Sequence, residues 1–105
     1  MNILVVDDER EIADVIELYL QNDQYSVLKF YTGEDALKCI KSTRIDLAIL
    51  DIMLPDVDGF QILKQIREKY TFPVIMLTAK EEVEDQLKSL SYGADNYITK
   101  PYSLA

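Results

Sequence analysis

The chain has 105 residues, of which 49% are hydrophobic and 29% are charged, a balance that predicts one small globular domain. Its net charge of −8 argues against direct binding of DNA or anionic lipid, because Lys and Arg side chains hold both ligands. Histidine is absent and Cys39 is the only cysteine, which excludes a histidine-based site and an intrachain disulfide. The sequence shows neither a signal peptide nor an apolar run of the roughly 20 residues that cross a membrane. We therefore expect a cytoplasmic protein.

Strand-like and helix-like patterns alternate along the whole chain. Short apolar segments predict five strands, at Ile3 to Val6, Val27 to Tyr31, Leu47 to Leu50, Val74 to Leu77 and Tyr97 to Ile98. Apolar residues at helical spacing predict four helices between them, around Ile12 to Leu20, Ala36 to Ile40, Phe60 to Ile66 and Val83 to Ala94. Strands separated by single helices form parallel sheets with right-handed crossovers, so the pattern predicts an open, doubly wound α/β domain.

Polar side chains follow four of the five predicted strands. Asp7 and Asp8 follow the first strand, Asp51 ends the third, Thr78 the fourth and Lys100 the fifth. In doubly wound sheets, ligands bind beyond the carboxyl ends of the strands, where the strand order reverses. If the first and third strands are neighbours, three carboxylates meet at one crevice beside a hydroxyl and an ammonium group.

Such a cluster favours metal-assisted phosphoryl chemistry. Carboxylates at close range need a cation or raised pKa values, and an all-oxygen ligand set suits Mg²⁺. A carboxylate can act as a nucleophile and form an aspartyl phosphate. Phosphoryl transfer then needs mainly positioning and charge neutralisation, which Thr78 and Lys100 can supply. The sequence offers no evident base to activate water, so a lasting intermediate is favoured over rapid turnover.

Four motifs give the chain a family resemblance. They are VVDDE at 5–9, LDIMLPDVDG at 50–59, MLTAK at 76–80 and GADNYITKP at 93–101. In this order they resemble the receiver domain of two-component response regulators. The resemblance implies a flavodoxin-like fold with a five-stranded parallel sheet in the order 2-1-3-4-5. The phrase LDIMLPDVDGF is most similar to regulators that carry a C-terminal winged-helix DNA-binding domain. EIADVIELYL together with DLAILDIMLP resembles the VanR-type regulators.

The resemblance also implies a phosphoacceptor and a metal site. Asp51 matches the phosphoacceptor, Asp8 a direct ligand of Mg²⁺, and Asp7 a ligand acting through water. The backbone carbonyl of Met53 completes the implied metal site. The implied phosphoryl donor is a separate sensor histidine kinase, and the activated full-length protein is expected to form a homodimer and to reach DNA only through its output domain.

A second group of residues matches those that change conformation in the family when the phosphoryl group binds. Thr78 and Lys100 match the residues that bind the phosphoryl group, and Tyr97 matches an aromatic residue that rotates inward as Thr78 moves. Lys100-Pro101 resembles the family's cis peptide. Packing within the strand is an equally good interpretation of Tyr97.

Other acidic residues have simpler interpretations. Asp58, just before Gly59, is expected to cap a helix, and Asp56 to be a solvated charge in a loop. Glu9 is expected to favour the positive end of the first helix.

Three other functions remain open. The chain could be a single-domain phosphorelay carrier, or a phosphate-independent interaction domain. An aspartate-nucleophile phosphatase would need a second Asp two residues after the nucleophile, where this chain has Met53.

The sequence also predicts how the domain ends. Residues 1–105 are expected to form a receiver that stops as its last helix begins, with Ser103 as the N-cap and no output domain. Without that helix, we expect exposed apolar surface at Val74, Met76, Ile98 and part of Leu47 to Leu50.

Overall fold

The fold is described from a computed structural model, which covers residues 1–78 and 93–99 and gives only the backbone of Thr78 and Thr99. Eight elements follow in chain order: β1 (Asn2–Val6), α1 (Arg10–Asn22), β2 (Ser26–Phe30), α2 (Gly33–Ser42), β3 (Leu47–Asp51), α3 (Gly59–Lys69), β4 (Val74–Thr78) and β5 (Asn96–Thr99). The strands and three of the helices lie where the sequence predicts them. The fourth predicted helix and the predicted end of the domain lie outside the described residues.

The five strands form one parallel sheet in the order β2-β1-β3-β4-β5, which confirms the predicted topology. The register pairs Val6 with Leu50 across β1 and β3, and Asp51 with Leu77 across β3 and β4. The carboxyl ends of β1, β3 and β4 therefore lie side by side at one edge of the sheet.

Strand β1, which lies between β2 and β3, explains why the sheet forms two cores. Its residues alternate between faces, and Leu4, Val5 and Val6 are all fully buried. Leu4 and Val6 join the larger core with the apolar residues of α2 and α3. Ile3 and Val5 join a smaller core with Ala13 of α1. Helices thus cover both faces of the sheet around β1.

The prediction that Val74 and Met76 would be exposed is wrong. Both side chains are fully buried in the larger core, because alternation along β4 directs them to the face that α3 covers. The intervening Ile75 is partly exposed and lies in register with Ile49, which packs on the α1 face. Ile98 is 48% exposed, as the sequence predicts. The α1 face of the sheet is therefore the one with exposed apolar surface. On β4 that surface includes Ile75, and not the predicted Val74 and Met76.

Arg67 of α3 anchors the turn that leads into β5. Its guanidinium donates to the carbonyl oxygens of Gly93 and Phe72, both at 2.8 Å, and to Asp95 Oδ2 at 2.7 Å. The same Asp95 oxygen accepts from the backbone N–H of Val74 at 2.8 Å. Gly93 has φ +100°, a left-handed conformation that favours glycine. The start of β5 is thereby fixed to both α3 and β4.

Candidate functional site

The register of β1 and β3 brings three carboxylates together. Each of Asp7, Asp8 and Asp51 offers an oxygen atom, and these atoms lie within 4.8 Å of one another. Asp7 is fully buried and Asp51 is 2% exposed, whereas Asp8 is exposed. The structure therefore confirms that the three carboxylates meet at this crevice, as the sequence predicts.

A short local hydrogen bond orients each of the two buried aspartates. Asp7 Oδ1 accepts from the backbone N–H of Glu9 at 2.9 Å, and Asp51 Oδ1 accepts from that of Met53 at 3.2 Å. Aspartate side chains commonly accept from the backbone two residues later, which turns the chain as a strand ends. Both strands thus leave the sheet at an aspartate whose carboxylate is held at the crevice.

Gly59 fixes the loop after β3. Its N–H donates to the carbonyl oxygen of Ile52 at 2.9 Å. A Cβ atom at position 59 would lie 2.3 Å from the carbonyl oxygen of Asp51, so a side chain has no room there. Asp58 caps α3 by accepting from the N–H of Phe60 at 2.7 Å, which confirms the predicted cap. The loop that carries Met53 is therefore closed tightly at its base.

An open groove of about 730 Å³ adjoins the carboxylate cluster at Asp8. Four carboxylates line it, from Asp8, Glu9, Asp56 and Asp58. Glu9 is the N-cap residue of α1 and makes no side-chain capping bond. The Met53 side chain also lines the groove and is 73% exposed. The groove is open and strongly acidic, which favours access by a cation and by a group that arrives with one.

The donor set fits a magnesium ion. Mg²⁺ prefers carboxylate and carbonyl oxygens and keeps several waters. Asp7, Asp8 and Asp51 provide the carboxylates, and the groove leaves the cluster open on the side of Asp8. A cation there would offset the repulsion between negative charges that the fold brings together.

Asp56 lies exposed in the loop after β3, as the sequence predicts, and its carboxylate also accepts hydrogen bonds from α2. Asp56 Oδ1 accepts from the N–H of Gly33 and Oδ2 from the N–H of Glu34, both at 2.9 Å. These hydrogen bonds from Gly33 and then Glu34 lower the pKa of the Asp56 carboxyl group. Sequence reasoning missed this contact because its partners are backbone amides, which carry no side-chain signal.

The predicted phosphoryl-binding residues are described only in part. Thr78 ends β4, and its backbone pairs with Thr99 of β5. Its side chain, together with Lys100 and Pro101, lies outside the described residues. Tyr97 is half-buried and packs against the larger core, as expected for strand packing. Its proposed rotation stays a prediction.

Comparison with known proteins gives the chain a family. Residues 3–105 match the family described as the response regulator receiver domain. The chain belongs to this receiver family. Among curated relatives, this receiver is 57% identical over 100 residues to the regulatory protein VanR of Enterococcus faecium, covering 95% of the chain and 43% of that protein. It is 56% identical over 101 residues to VanRc of Enterococcus gallinarum, covering 96% and 44%. The receiver thus spans less than half the length of these relatives.

Solved structures agree with the fold. The response regulator TrrA of Thermotoga maritima, in complex with Mg²⁺–BeF, matches with a TM-score of 0.85 and 37% identity, covering 97% of the receiver and 88% of that chain. Within the part of the receiver that the structure describes, no helix is both long and apolar enough to cross a membrane.

Proposed function

We propose that this receiver accepts a phosphoryl group on Asp51 from a separate sensor histidine kinase in the cytoplasm. One observation carries the proposal: the ends of β1 and β3 place three carboxylates within 4.8 Å, and Asp51 is the buried member on β3. These 105 residues include no histidine, so a phosphohistidine donor lies outside them. Membership of the receiver family supports the same assignment.

Residues of the receiver prepare Asp51 for transfer. The Met53 N–H holds Asp51 Oδ1 and so orients the carboxylate. An oxygen of Asp51 bonds to phosphorus while the bond from phosphorus to the kinase imidazole nitrogen breaks, and the electron pair leaves with that nitrogen. The residues that would hold Mg²⁺ are Asp7, Asp8, Asp51 and, through its carbonyl, Met53, and the bound ion would neutralise charge on the transferring group. The TrrA structure, solved with Mg²⁺–BeF, supports the choice of ion.

The output follows from the switch residues. Thr78 and Lys100 bind the phosphoryl oxygens, and Tyr97 moves with Thr78, which shifts an existing equilibrium between two surfaces of the receiver. In the full-length protein the shifted surface forms a homodimer and controls a separate winged-helix DNA-binding domain. The similarity to regulatory proteins of the VanR type supports this transcriptional role. Turnover as a phosphatase is disfavoured, because the Met53 side chain has no proton to exchange.

Phosphorylation of the isolated receiver tests the acceptor. With Mg²⁺ and acetyl phosphate, the wild-type chain is expected to gain one acid-labile phosphoryl group, about 80 Da, and Asp51→Asn none. Intact-mass spectrometry measures the gain, and cleavage by hydroxylamine followed by peptide mapping locates it. An adduct mapped to another aspartate would reject Asp51 as the acceptor. The same assay with a purified kinase, followed by chasing label onto a histidine phosphotransfer protein, separates an end-point receiver from a relay carrier.

A further inference from the structure

We propose that Asp56 is a positioning residue for the metal site, because it ties the loop that carries Met53 to the first turn of α2. The inference rests on the proposed Mg²⁺ site and adds a residue that contacts neither the ion nor the phosphoryl group. It predicts that metal binding and the order of the α2 N-terminus stabilise each other.

The contact joins two segments that are more than 20 residues apart in sequence. The two Asp56 oxygens accept separately from the N–H groups of Gly33 and Glu34, each at 2.9 Å. The first N–H groups of a helix have no partner within the helix, and its N-terminus carries partial positive charge. A carboxylate with one oxygen on each amide therefore makes two charge-assisted bonds at once.

Packing makes this contact rigid. Gly33 is buried, and a Cβ atom built on it would lie 2.9 Å from Val57 Cβ and 2.9 Å from Ile62 Cδ1. The backbone of α2 therefore rests directly on the loop and on α3. A shift of the loop toward α2 is blocked by this packing, and a shift away breaks the two bonds of Asp56.

The loop transmits the contact to Met53. Residues 52–58 are held at their base by the bond from Gly59 N–H to Ile52 O, and at Met53 by the bond from its N–H to Asp51. The Met53 side chain is 73% exposed, so its own packing contributes little to fixing its backbone. Asp56 is three residues further on and ties the loop to a different element. The position of the Met53 carbonyl, the proposed metal ligand, therefore depends on Asp56.

Coupling between two sites is reciprocal. Mg²⁺ should slow amide hydrogen exchange at Gly33 and Glu34, and Asp56→Ala should raise the Kd for Mg²⁺ about fivefold, at the lower end of typical coupling. Asp56→Asn, which offers one acceptor oxygen for two donors, should give a smaller rise. Isothermal titration with MgCl₂ and exchange followed by NMR measure these effects on the metal-free receiver, without phosphorylation. A failure of Asp51 as acceptor would therefore leave both readouts unchanged.

Two control variants separate the effect of loop positioning on Mg²⁺ affinity from the effects of α2 stability and of charge in the groove. Thr32→Ala removes the other cap of α2, the 3.3 Å bond from Asp35 N–H, and leaves the loop untouched. Asp58→Asn removes one charge from the same groove and keeps an oxygen for the Phe60 N–H. Both should bind Mg²⁺ more tightly than Asp56→Ala does.

The proposal is overturned by any of three results. They are an unchanged Mg²⁺ affinity in Asp56→Ala, an equal loss in either control variant, and exchange at Gly33 and Glu34 that does not respond to Mg²⁺. If Asp56→Ala does not fold, the Mg²⁺ affinity of Asp56→Asn tests the proposal instead. An affinity equal to that of Asp58→Asn would reject a positioning role for Asp56.

Discussion

Among the three clustered aspartates, Asp8 is exposed to solvent, whereas Asp7 and Asp51 are buried. Removing its charge relieves repulsion on the buried pair without opening a cavity in the core. We expect Asp8→Ala to raise the free energy of unfolding in EDTA by about 1 kcal/mol. The same variant should lose affinity for Mg²⁺.

Urea denaturation with and without Mg²⁺ measures both effects, since a ligand that binds the folded state raises its stability. Glu68→Ala, which removes an exposed charge near the end of α3, serves as the control and should change neither quantity. If Asp8→Ala binds Mg²⁺ as tightly as wild type, Asp8 is not a ligand.

Gly59 and Gly33 offer a matched pair of substitutions. In Gly59→Ala the new methyl group would meet the backbone oxygen of Asp51 at 2.3 Å, and backbone cannot move aside easily. In Gly33→Ala it would meet Ile62 Cδ1 and Val57 Cβ, both at the longer distance of 2.9 Å, and the end of the Ile62 side chain can shift. We expect Gly59→Ala to lower stability by about 3 kcal/mol, the upper part of the range for overpacking. Gly33→Ala should cost less, and equal urea midpoints for the two variants would contradict this.

At the scale of secondary-structure elements, ion pairs of Lys29 connect β2 to α1. Its Nζ lies 2.8 Å from both Asp14 Oδ1 and Glu17 Oε1, and the Tyr31 hydroxyl donates to Asp14 Oδ1 at 2.9 Å. The Lys29 side chain is 19% exposed and that of Asp14 53%, so solvent screens the pair only in part. The hydrogen bond from Lys29, and then that from Tyr31, lower the pKa of the Asp14 carboxyl group.

The lowered pKa sets the pH range of this contact. Its stabilisation is complete above the unfolded pKa of Asp, about 3.9, and is lost as pH falls toward the lower folded value. We expect the stability difference between wild type and Asp14→Asn to be constant from pH 5 to 7 and to shrink by pH 3. Urea midpoints of the two proteins at each pH measure it. A difference that persists at pH 3 would show that the charge of Asp14 plays no part.

The local sequence pattern predicts most of the strands and helices of this fold and the carboxylates of the crevice. Apolar segments define the strands, and residues that follow a strand stand at its carboxyl end, so Asp8 and Asp51 could be placed together once the strand order was inferred. The face of each side chain in β4 could not be predicted, because Val74 to Leu77 is apolar on both faces of a buried strand. The contact of Asp56 could not be predicted either, since its partners are backbone amides of a helix more than 20 residues earlier in the sequence.

At the scale of the whole molecule, the described residues leave an apolar strip on the α1 face of the sheet incompletely covered. Leu47, Ile49 and Ile75 are partly exposed there, and Ile98 is 48% exposed. Registers between Ile49 and Ile75, and between Leu77 and Ile98, place the strip across β3, β4 and β5. An amphipathic helix laid on this strip would bury a few hundred square ångströms of apolar surface, worth several kcal/mol at about 25 cal/mol per Å².

Chains of two lengths test this strip. We propose that a receiver extended beyond residue 105 by about a dozen amphipathic residues, roughly the length of an average helix, melts at a higher temperature and self-associates less than the 105-residue chain. Ile98→Ser in the shorter chain is the control and should reduce its self-association. Thermal melts and analytical ultracentrifugation measure both properties. Equal melting temperatures and a monomeric shorter chain would show that the strip needs no cover.

The pairing of β1 with β3 also has a consequence for how the protein folds. Val6 pairs with Leu50, so the acidic residues just beyond cannot stay apart once these two strands have joined. Magnesium therefore acts as a kinetic probe of that event. If the strands pair before the rate-limiting barrier, the ion speeds refolding; if they pair after it, the ion only slows unfolding. Chevron plots at several Mg²⁺ concentrations would place the joining of the two central strands on the folding pathway.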